Sequence, residues 1–169
     1  MPPEADPFAY TYFLDESISG KTLVSAMREA GYSVKVLSEE FGSGTPDPEW
    51  LPVAAEKQWV LIGKDDRWRY RSEEKEILIR AKARAFIFVS KTAKREEIAG
   101  AIIGALPKMA VLLANQAPPF IGRILLSGYV GLIILETRLL LRNDPIQSTM
   151  NSLAPSSVDE RCGSALSAT

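Results

Sequence analysis

The sequence predicts an α/β fold in which a short central parallel sheet is covered by helices on both faces. Short apolar or aromatic segments alternate with longer segments whose apolar residues recur at helical spacing, which is typical of strands and helices in turn. Two of the short segments, 59–62 (WVLI) and 85–89 (AFIFV), are continuously apolar, as strands buried on both faces are. With 169 residues, 46% of them hydrophobic and 24% charged, the chain has the size and composition of about one globular domain.

The predicted elements follow the hydrophobic period along the chain. Strand segments are rich in aromatic and β-branched residues, and helix segments repeat apolar residues every three or four positions. In order, they are strand 10–14, helix 21–30, strand 33–37, a helix beginning at 47–48, strand 59–62, helix 73–83, strand 85–89, helix 95–115, a β-hairpin with strands 120–126 and 129–135, and a short helix 136–142.

Capping residues predict where two of the helices begin and where the first one ends. Ser17 and Ser19 can cap the first helix, and Gly31 follows its last turn, where a left-handed residue is common. Asp47 can cap the second helix, and Pro48 fits its first position, where no hydrogen-bond donor is lost.

The most apolar region, residues 121–141, is predicted to contain the hairpin and not a membrane span. Charged residues interrupt it, and the uninterrupted part, 124–135, has only about half of the roughly 20 residues that a spanning helix needs. Ser127-Gly128 in its middle is typical of a turn between two strands. We expect the hairpin at one edge of the sheet or as a small flap.

The two ends of the chain differ from its middle. Residues 1–8 have three prolines in the first seven positions and no signal-peptide pattern. Residues 143–169 are rich in Ser, Ala and Asn and contain few large apolar residues. We therefore expect a disordered lead at 1–8, one folded domain at 9–142 and a disordered tail at 143–169.

The composition excludes several kinds of chemistry. The chain contains no histidine, which excludes Ser-His-Asp and Cys-His catalysis and any histidine-ligated zinc site. Its single cysteine, Cys162, can form neither an internal disulfide nor a cysteine-rich zinc site, so a reducing compartment, the cytoplasm, is expected. The net charge of -1 excludes a broad cationic surface and leaves only a local patch for binding nucleic acid.

Acidic pairs follow two of the predicted strands. Asp15-Glu16 comes directly after strand 10–14, and Asp65-Asp66 follows strand 59–62 after two residues. Because ligands bind beyond the carboxyl ends of parallel strands, both pairs are expected at one edge of the sheet, whereas the sequence alone does not place Asp47. Neighbouring carboxylates raise each other's pKa unless a cation lies between them. Mg2+ or Mn2+ suits such an oxygen-only set, and it promotes phosphodiester hydrolysis by polarising the phosphoryl group and activating water.

These acidic residues also have purely structural interpretations. Asp15 and the pair Asp65-Asp66 could be turn residues, and Asp47 before Pro48 could be an ordinary N-cap. The tryptophans are expected to pack in the core rather than to stack on bases; they are Trp50, Trp59 and Trp68.

A basic segment follows the acidic edge. Arg67, Arg69 and Arg71 are candidates to hold an RNA backbone through its phosphates. Alternatively, they form a solvated face that pairs with the three glutamates at 73–76, which are themselves typical of a helix N-terminus.

Four motifs in a fixed order carry a resemblance to a known family. FLDESISG, FGSGTPDPEW, WVLIGKDDR and AFIFV together resemble the PIN-like domain of VapC-type toxins, over roughly residues 10–125. The resemblance implies a three-layer PIN-like fold with a central parallel sheet, to which this chain adds a C-terminal β-hairpin. It also implies an Mg2+-dependent ribonuclease, often the toxin of a toxin–antitoxin pair that a small antitoxin protein binds and inhibits.

The resemblance also implies roles for individual residues. Asp15, Asp47 and Asp65 would hold the metal. Asp66 and Glu16 could add a ligand or orient a water. Lys64 could neutralise a phosphate, or it could only pair with a carboxylate. Two departures, Gly63 for the usual Thr and Ser17 for the common Asn, suggest that hydrogen bonds orienting the metal ligands are missing.

Three hypotheses about function follow. The first is a metal-dependent endoribonuclease that uses these aspartates, with Lys64, Arg67 and Arg69 holding RNA. The second is a PIN-like interaction module without catalysis, because the apolar hairpin at 121–135 needs a cover that an antitoxin or a second copy in a homodimer could provide. The third is a peripheral membrane protein that uses the same apolar segment.

Overall fold

The described part of the chain is built around a six-stranded β-sheet with the strand order β2-β1-β3-β4-β5-β6. The computed structural model describes residues 5–64 and 72–133. In chain order the strands are β1 Thr11–Leu14, β2 Ser33–Val36, β3 Val60–Gly63, β4 Arg84–Val89, β5 Phe120–Leu125 and β6 Val130–Ile133.

All neighbouring strands from β2 to β5 pair in parallel, and only β6 is antiparallel to its neighbour, β5. The predicted hairpin is therefore confirmed, and it forms the edge of the sheet rather than a separate flap. The chain continues from β1 to β2 on one side of β1 and returns to β3 on its other side, so the strand order reverses between β1 and β3. In open parallel sheets, such a reversal leaves a crevice at the carboxyl ends of these two strands.

Helices connect the strands and cover both faces of the sheet, as the sequence predicts. They are α1 Lys21–Glu29, the single turn α2 Leu37–Glu40, α3 Asp47–Glu56, α4 Ser72–Arg80 and α5 Arg95–Asn115. The short α2 has no counterpart among the predicted elements. It occupies a stretch where only one large apolar residue, Leu37, is buried, too few for a helical period to be recognised.

Two hydrophobic clusters lie on opposite faces of the sheet, which gives the three-layer arrangement. In β1, Tyr12 and Leu14 point into the cluster formed with α1 and α5, while Phe13 points into the cluster formed with α2, α3 and α4. This alternation follows from the two-residue period of a strand. All residues of β3 are buried, which confirms that it is covered on both faces.

Trp50 and Trp59 belong to the cluster beside α3, where the ring of Phe13 stacks against each of them at 5.0 and 5.4 Å between centroids. Both pack in the core, as predicted. Trp68 lies outside the described residues.

Helix α5 is long and apolar enough to cross a membrane by length and composition alone. Buried core helices of soluble proteins meet the same criteria. Here Ile102, Leu106, Met109 and other residues of α5 are buried in the cluster that α5 shares with α1. The helix therefore covers the sheet within the fold.

The two predicted helix caps are wrong. Gly20, which has no side chain to donate or accept, is the N-cap of α1, and the Ser17 hydroxyl bonds to Asp15 instead. Pro46 is the N-cap of α3, so Asp47 is the first residue of that helix rather than its cap. Gly31 does adopt the left-handed conformation expected after α1, with a φ of 89°.

The last residues of the segment 1–8, which was predicted to be a disordered lead, have regular structure. Pro7–Ala9 form a turn of 3-10 helix capped by the side chain of Asp6. The ring of Phe8 stacks on Tyr32 at 4.5 Å between centroids, and the Tyr12 hydroxyl donates to the Pro7 carbonyl at 2.8 Å. These contacts tie this segment to the core.

Several predictions fall outside the described residues. They are the segment 65–71, the last two residues of the second hairpin strand, the short helix 136–142 and the tail 143–169 with Cys162.

Candidate functional site

The candidate site lies where β1 and β3 end, at the reversal of the strand order. Asp15 directly follows β1, and its backbone N–H donates to the carbonyl of Ile62 in β3 at 3.0 Å. Lys64 directly follows β3. The two strand ends are therefore joined side by side. Asp65 and Asp66, which were predicted to meet Asp15 and Glu16 at this edge, lie outside the described residues.

Asp15 is partly buried and held by Ser17. The Ser17 hydroxyl donates to Oδ2 of Asp15 at 2.6 Å, and the Ser17 backbone N–H donates to the same oxygen at 3.4 Å. Burial raises the pKa of Asp15 above its ordinary value, while the hydrogen bonds from Ser17 and from the Glu16 backbone lower it. The nearby charge of Asp47 raises this pKa further.

Asp47 shares a cavity with Asp15. The cavity has a volume of about 490 Å3, and its wall includes Asp15, Glu16, Ser17, Gly44, Asp47 and Glu74. Asp47 is the first residue of α3, so it contributes to this wall from a different element than Asp15, which follows β1. The sequence alone left the position of Asp47 open, and the structure places Asp47 at the same cavity as Asp15.

Glu74 is an acidic residue of this cavity that the sequence analysis did not single out. It lies in the first turn of α4, where acidic residues commonly serve only to offset the helix dipole. Its Oε2 atom is buried. Nothing in the local sequence distinguishes it from Glu73 or Glu76, since only the packing of α4 beside α3 brings Glu74 to the cavity.

Glu16 and Lys64, both predicted to act at the site, have defined contacts. Oε1 of Glu16 accepts from the Ser43 hydroxyl at 2.5 Å and from the Gly44 backbone N–H at 3.0 Å. The backbone N–H of Lys64 donates to the Ser17 hydroxyl oxygen at 3.0 Å. Ser17 therefore links the first aspartate to the end of β3.

Glu39 and Glu40 have other partners and are not among the residues that line the cavity. Glu39 accepts from Arg28 at 2.6 Å, and Glu40 pairs with Lys35 at 2.8 Å. The hydrogen bond from Arg28 holds the pKa of Glu39 below its ordinary value. They form surface ion pairs on α2.

A second cavity of about 290 Å3 adjoins the first through Glu16 and Ser17. Arg95, at the start of α5, contributes to its wall. This basic residue near the acidic cavity was not predicted, because it follows β4 and lies far from the acidic motifs in the sequence. The predicted phosphate contacts Arg67 and Arg69 lie outside the described residues.

The metal site expected from the sequence is only partly described. Within residues 5–64 and 72–133, no three acidic, cysteine or histidine side chains are grouped closely enough to hold a metal ion. Asp15 and Asp47 face a common cavity, and their like charges destabilise the ionised state of Asp15, which is the situation that a divalent cation relieves. Asp65 and Asp66, the further predicted ligands, lie outside the described residues.

Comparisons with known proteins agree with the fold. Residues 11–90 match the family model of the PIN like domain. The matched segment contains β1 to β4, and with them Asp15, Glu16, Asp47 and Lys64. Searches of curated proteins and of solved structures found no match for this chain. The family match and the sheet topology together support a PIN-like domain over residues 11–90.

Proposed function

We propose that this protein is a metal-dependent endoribonuclease that hydrolyses RNA phosphodiester bonds. The observation that carries the proposal is that Asp15 and Asp47, on different elements, line one cavity at the carboxyl ends of β1 and β3. This is where ligands bind in open parallel sheets. PIN-like domains, which residues 11–90 resemble, are typically nucleases.

Asp15, Asp47 and Asp65 would hold Mg2+ or Mn2+. The described part of this set offers only carboxylate oxygens, the ligands that these hard cations prefer. A bound divalent ion supplies stabilisation of phosphoryl charge and an activated water. Ser17 fixes the orientation of Asp15 through its 2.6 Å hydrogen bond, so that one carboxylate oxygen is held in place before any ion arrives.

Basic residues around this edge would hold the RNA backbone. Lys64 follows β3 next to the cavity, and Arg67 and Arg69 follow it in the sequence. Arg95 lines the adjoining cavity. Contacts of this kind neutralise phosphates and set the position of the strand without selecting a base sequence.

Within the PIN-like family, we propose a VapC-type toxin of a toxin–antitoxin pair. The support is the order and spacing of the four motifs, from FLDESISG to AFIFV. An antitoxin protein would then be the natural partner, and RNA the substrate.

The test is RNA cleavage by the full chain with Mg2+ and with EDTA. Asp15→Asn, Asp47→Asn and Asp65→Asn keep the side-chain shape and remove the charge, and each is expected to reduce cleavage at least about a hundredfold, because each would remove a metal ligand. Glu29→Gln, an exposed residue at the end of α1, is the matched control and should cleave like the wild type. Equal cleavage by the wild type and Asp15→Asn would contradict the proposal.

A second candidate function, a non-catalytic interaction module, is favoured by one observation. Leu126, Tyr129 and Leu132 expose 43%, 49% and 41% of their surface on the terminal hairpin. Apolar residues on an edge strand are usually covered by a partner. An antitoxin or a second copy of this chain in a homodimer could cover them.

Two measurements separate the candidates. Calorimetry with Mn2+ should detect binding that Asp15→Asn weakens if the protein is a nuclease. Absence of Mn2+ binding to the wild type would favour the interaction module. Light scattering over a range of concentrations tests the homodimer, and a monomer at every concentration would exclude self-association through the hairpin.

A further inference from the structure

The loop that leads to Asp47 is tied to the residue next to Asp15. This loop, residues 41–46, connects α2 to α3, and we call it the 41–46 loop. Oε1 of Glu16 accepts two hydrogen bonds from it, from the Ser43 hydroxyl at 2.5 Å and from the Gly44 N–H at 3.0 Å. A carboxylate oxygen that accepts two donors makes charge-assisted hydrogen bonds, which are stronger than neutral ones.

Phe41 holds the start of the 41–46 loop, because its ring packs edge-on against Phe13 of β1, but the residues after Phe41 lack such packing and depend on the anchor from Glu16. Gly42, Ser43 and Gly44 are exposed, so they bury no apolar surface. Gly42 and Gly44 have φ values of 95° and 77°, and glycine loses more conformational freedom on ordering than any other residue. The Thr45 hydroxyl donates to the carbonyls of Phe41 and Gly42 at 2.9 and 3.0 Å, but these bonds stay within the loop and do not tie it to the sheet.

The position of this loop determines the position of Asp47. Gly44 is three residues before Asp47, and α3 begins without a side-chain cap. Asp15 and Asp47 line one cavity from different elements, so a restraint on the loop before Asp47 helps to keep both carboxylates there. Glu16, the residue next to Asp15, makes two hydrogen bonds to that loop.

We propose that Glu16 is a positioning residue that holds the 41–46 loop, and with it Asp47, beside Asp15, and that it is not a metal ligand. This role rests on the proposed function of the Asp15–Asp47 pair. It also revises the role that the family resemblance implies for Glu16, since one of its two carboxylate oxygens, Oε1, already accepts two hydrogen bonds from the loop.

Two substitutions distinguish positioning from ligation. Glu16→Gln removes the charge but retains a side-chain oxygen that can accept both hydrogen bonds. Glu16→Ala removes the acceptor altogether. If Glu16 is a positioning residue, Glu16→Gln should cleave RNA at a rate within about threefold of the wild-type rate. Glu16→Ala should cleave about ten- to a hundredfold more slowly, which is the usual effect of losing a group that orients a metal ligand. Equal and large losses in both variants would show that the charge is required, and they would overturn the proposal.

The second readout is amide hydrogen exchange of peptides covering 42–47 in the metal-free protein. Glu16→Ala should speed exchange there at least about tenfold, because breaking the anchor lowers the free energy of local opening. Glu16→Gln should leave exchange close to that of the wild type. Ser43→Ala, which removes one of the two donors from the loop side, should give an intermediate rate. Unchanged exchange in Glu16→Ala would overturn the proposal.

The two readouts also separate this proposal from the proposed function. If the wild type cleaves no RNA with Mg2+, the nuclease proposal fails, while exchange at 42–47 still decides whether Glu16 holds the loop. If the wild type and Asp15→Asn behave as expected but Glu16→Ala cleaves like the wild type, the nuclease proposal stands and the role of Glu16 is refuted.

Discussion

The hydroxyl of Ser17 donates a 2.6 Å hydrogen bond to Oδ2 of Asp15 and thereby orients the first carboxylate of the candidate site. The same hydroxyl oxygen accepts from the backbone N–H of Lys64 at 3.0 Å. Ser17 therefore holds the Asp15 carboxylate in a fixed position relative to the end of β3. The replacement of the common Asn by Ser does not remove the orienting hydrogen bond, contrary to what the family comparison suggests. The Ser17 hydroxyl also reaches the Lys64 N–H, because β1 and β3 are direct neighbours.

Ser17→Ala is therefore expected to reduce metal-dependent cleavage about ten- to a hundredfold, as loss of an orienting group does. The residue is exposed, so the accompanying loss of stability should be about 1 kcal/mol or less. Cleavage assays and denaturant unfolding of the same preparations separate the two effects. Ser17→Thr keeps the hydroxyl and should retain most of the activity, and Ser25→Ala on the exposed face of α1 should retain all of it. If Ser17→Ala is as active as Ser25→Ala, Ser17 does not orient Asp15.

Removing the charge of Asp15 should stabilise the metal-free protein. Burial and the charge of Asp47 both disfavour the ionised carboxylate, and an amide of the same shape avoids both costs. Asp15→Asn is therefore expected to have a higher unfolding temperature than the wild type in EDTA. Added Mg2+ should raise the unfolding temperature of the wild type and should have little effect on Asp15→Asn.

Scanning calorimetry or circular dichroism in both buffers provides the measurement. Glu29→Gln, at an exposed position, should unfold at the temperature of the wild type. A lower unfolding temperature for Asp15→Asn in EDTA would mean that the hydrogen bonds to Asp15 outweigh the cost of its burial.

The advantage of Asp15→Asn should depend on pH. The folded-state pKa of Asp15 lies above the ordinary value of 3.8, so this group favours folding in its protonated form. Its contribution is fully present below the unfolded-state pKa and is lost as the pH rises through the folded-state pKa. The free energy of unfolding of Asp15→Asn minus that of the wild type should therefore increase from acidic towards neutral pH and then remain constant.

Denaturant unfolding of both proteins in EDTA across this pH range tests the sign. Mn2+ binding should be lost on acidification at a pH above that of an ordinary aspartate, because protonation of Asp15 competes with the cation. A difference in unfolding free energy that decreases with rising pH would contradict the direction of the pKa shift.

Local patterns were sufficient to predict most of the fold. Helix α5 has the predicted bounds, 95–115, because its apolar period is long and the Pro118-Pro119 pair follows it. Strand β4 differs from the prediction by one residue, Arg84. The errors occurred at helix starts. Ser17, for example, lies two residues after Asp15 and shortly before α1, so its hydroxyl could bond to either. The sequence does not show which of these two partners it bonds to.

The candidate site was less predictable because it depends on contacts between distant residues. Asp15 could be assigned to the sheet edge, since it directly follows a strand. Asp47 could not, because its position depends on the path of the 41–46 loop, which is fixed by Glu16 across 27 and 28 positions of sequence. Glu74 reaches the cavity only through the packing of α4 beside α3. In each case the position follows from tertiary contacts rather than from a period or a cap.

Gly122 in β5 is predicted to be intolerant of any side chain. It pairs with Phe86 in the neighbouring strand, and a Cβ atom at this position would lie 2.5 Å from two ring carbons of Phe86. The ring is fully buried and cannot move away without displacing core neighbours, so Gly122→Ala should destabilise the protein by about 1–3 kcal/mol.

Gly104 in the exposed part of α5 serves as the control. It has no atom within 4 Å of such a Cβ, so Gly104→Ala should stabilise the helix by about 0.5–1 kcal/mol. Denaturant unfolding of the two variants should thus give shifts of opposite sign. A Gly122→Ala protein as stable as the wild type would show that β5 does not lie against Phe86 at this register.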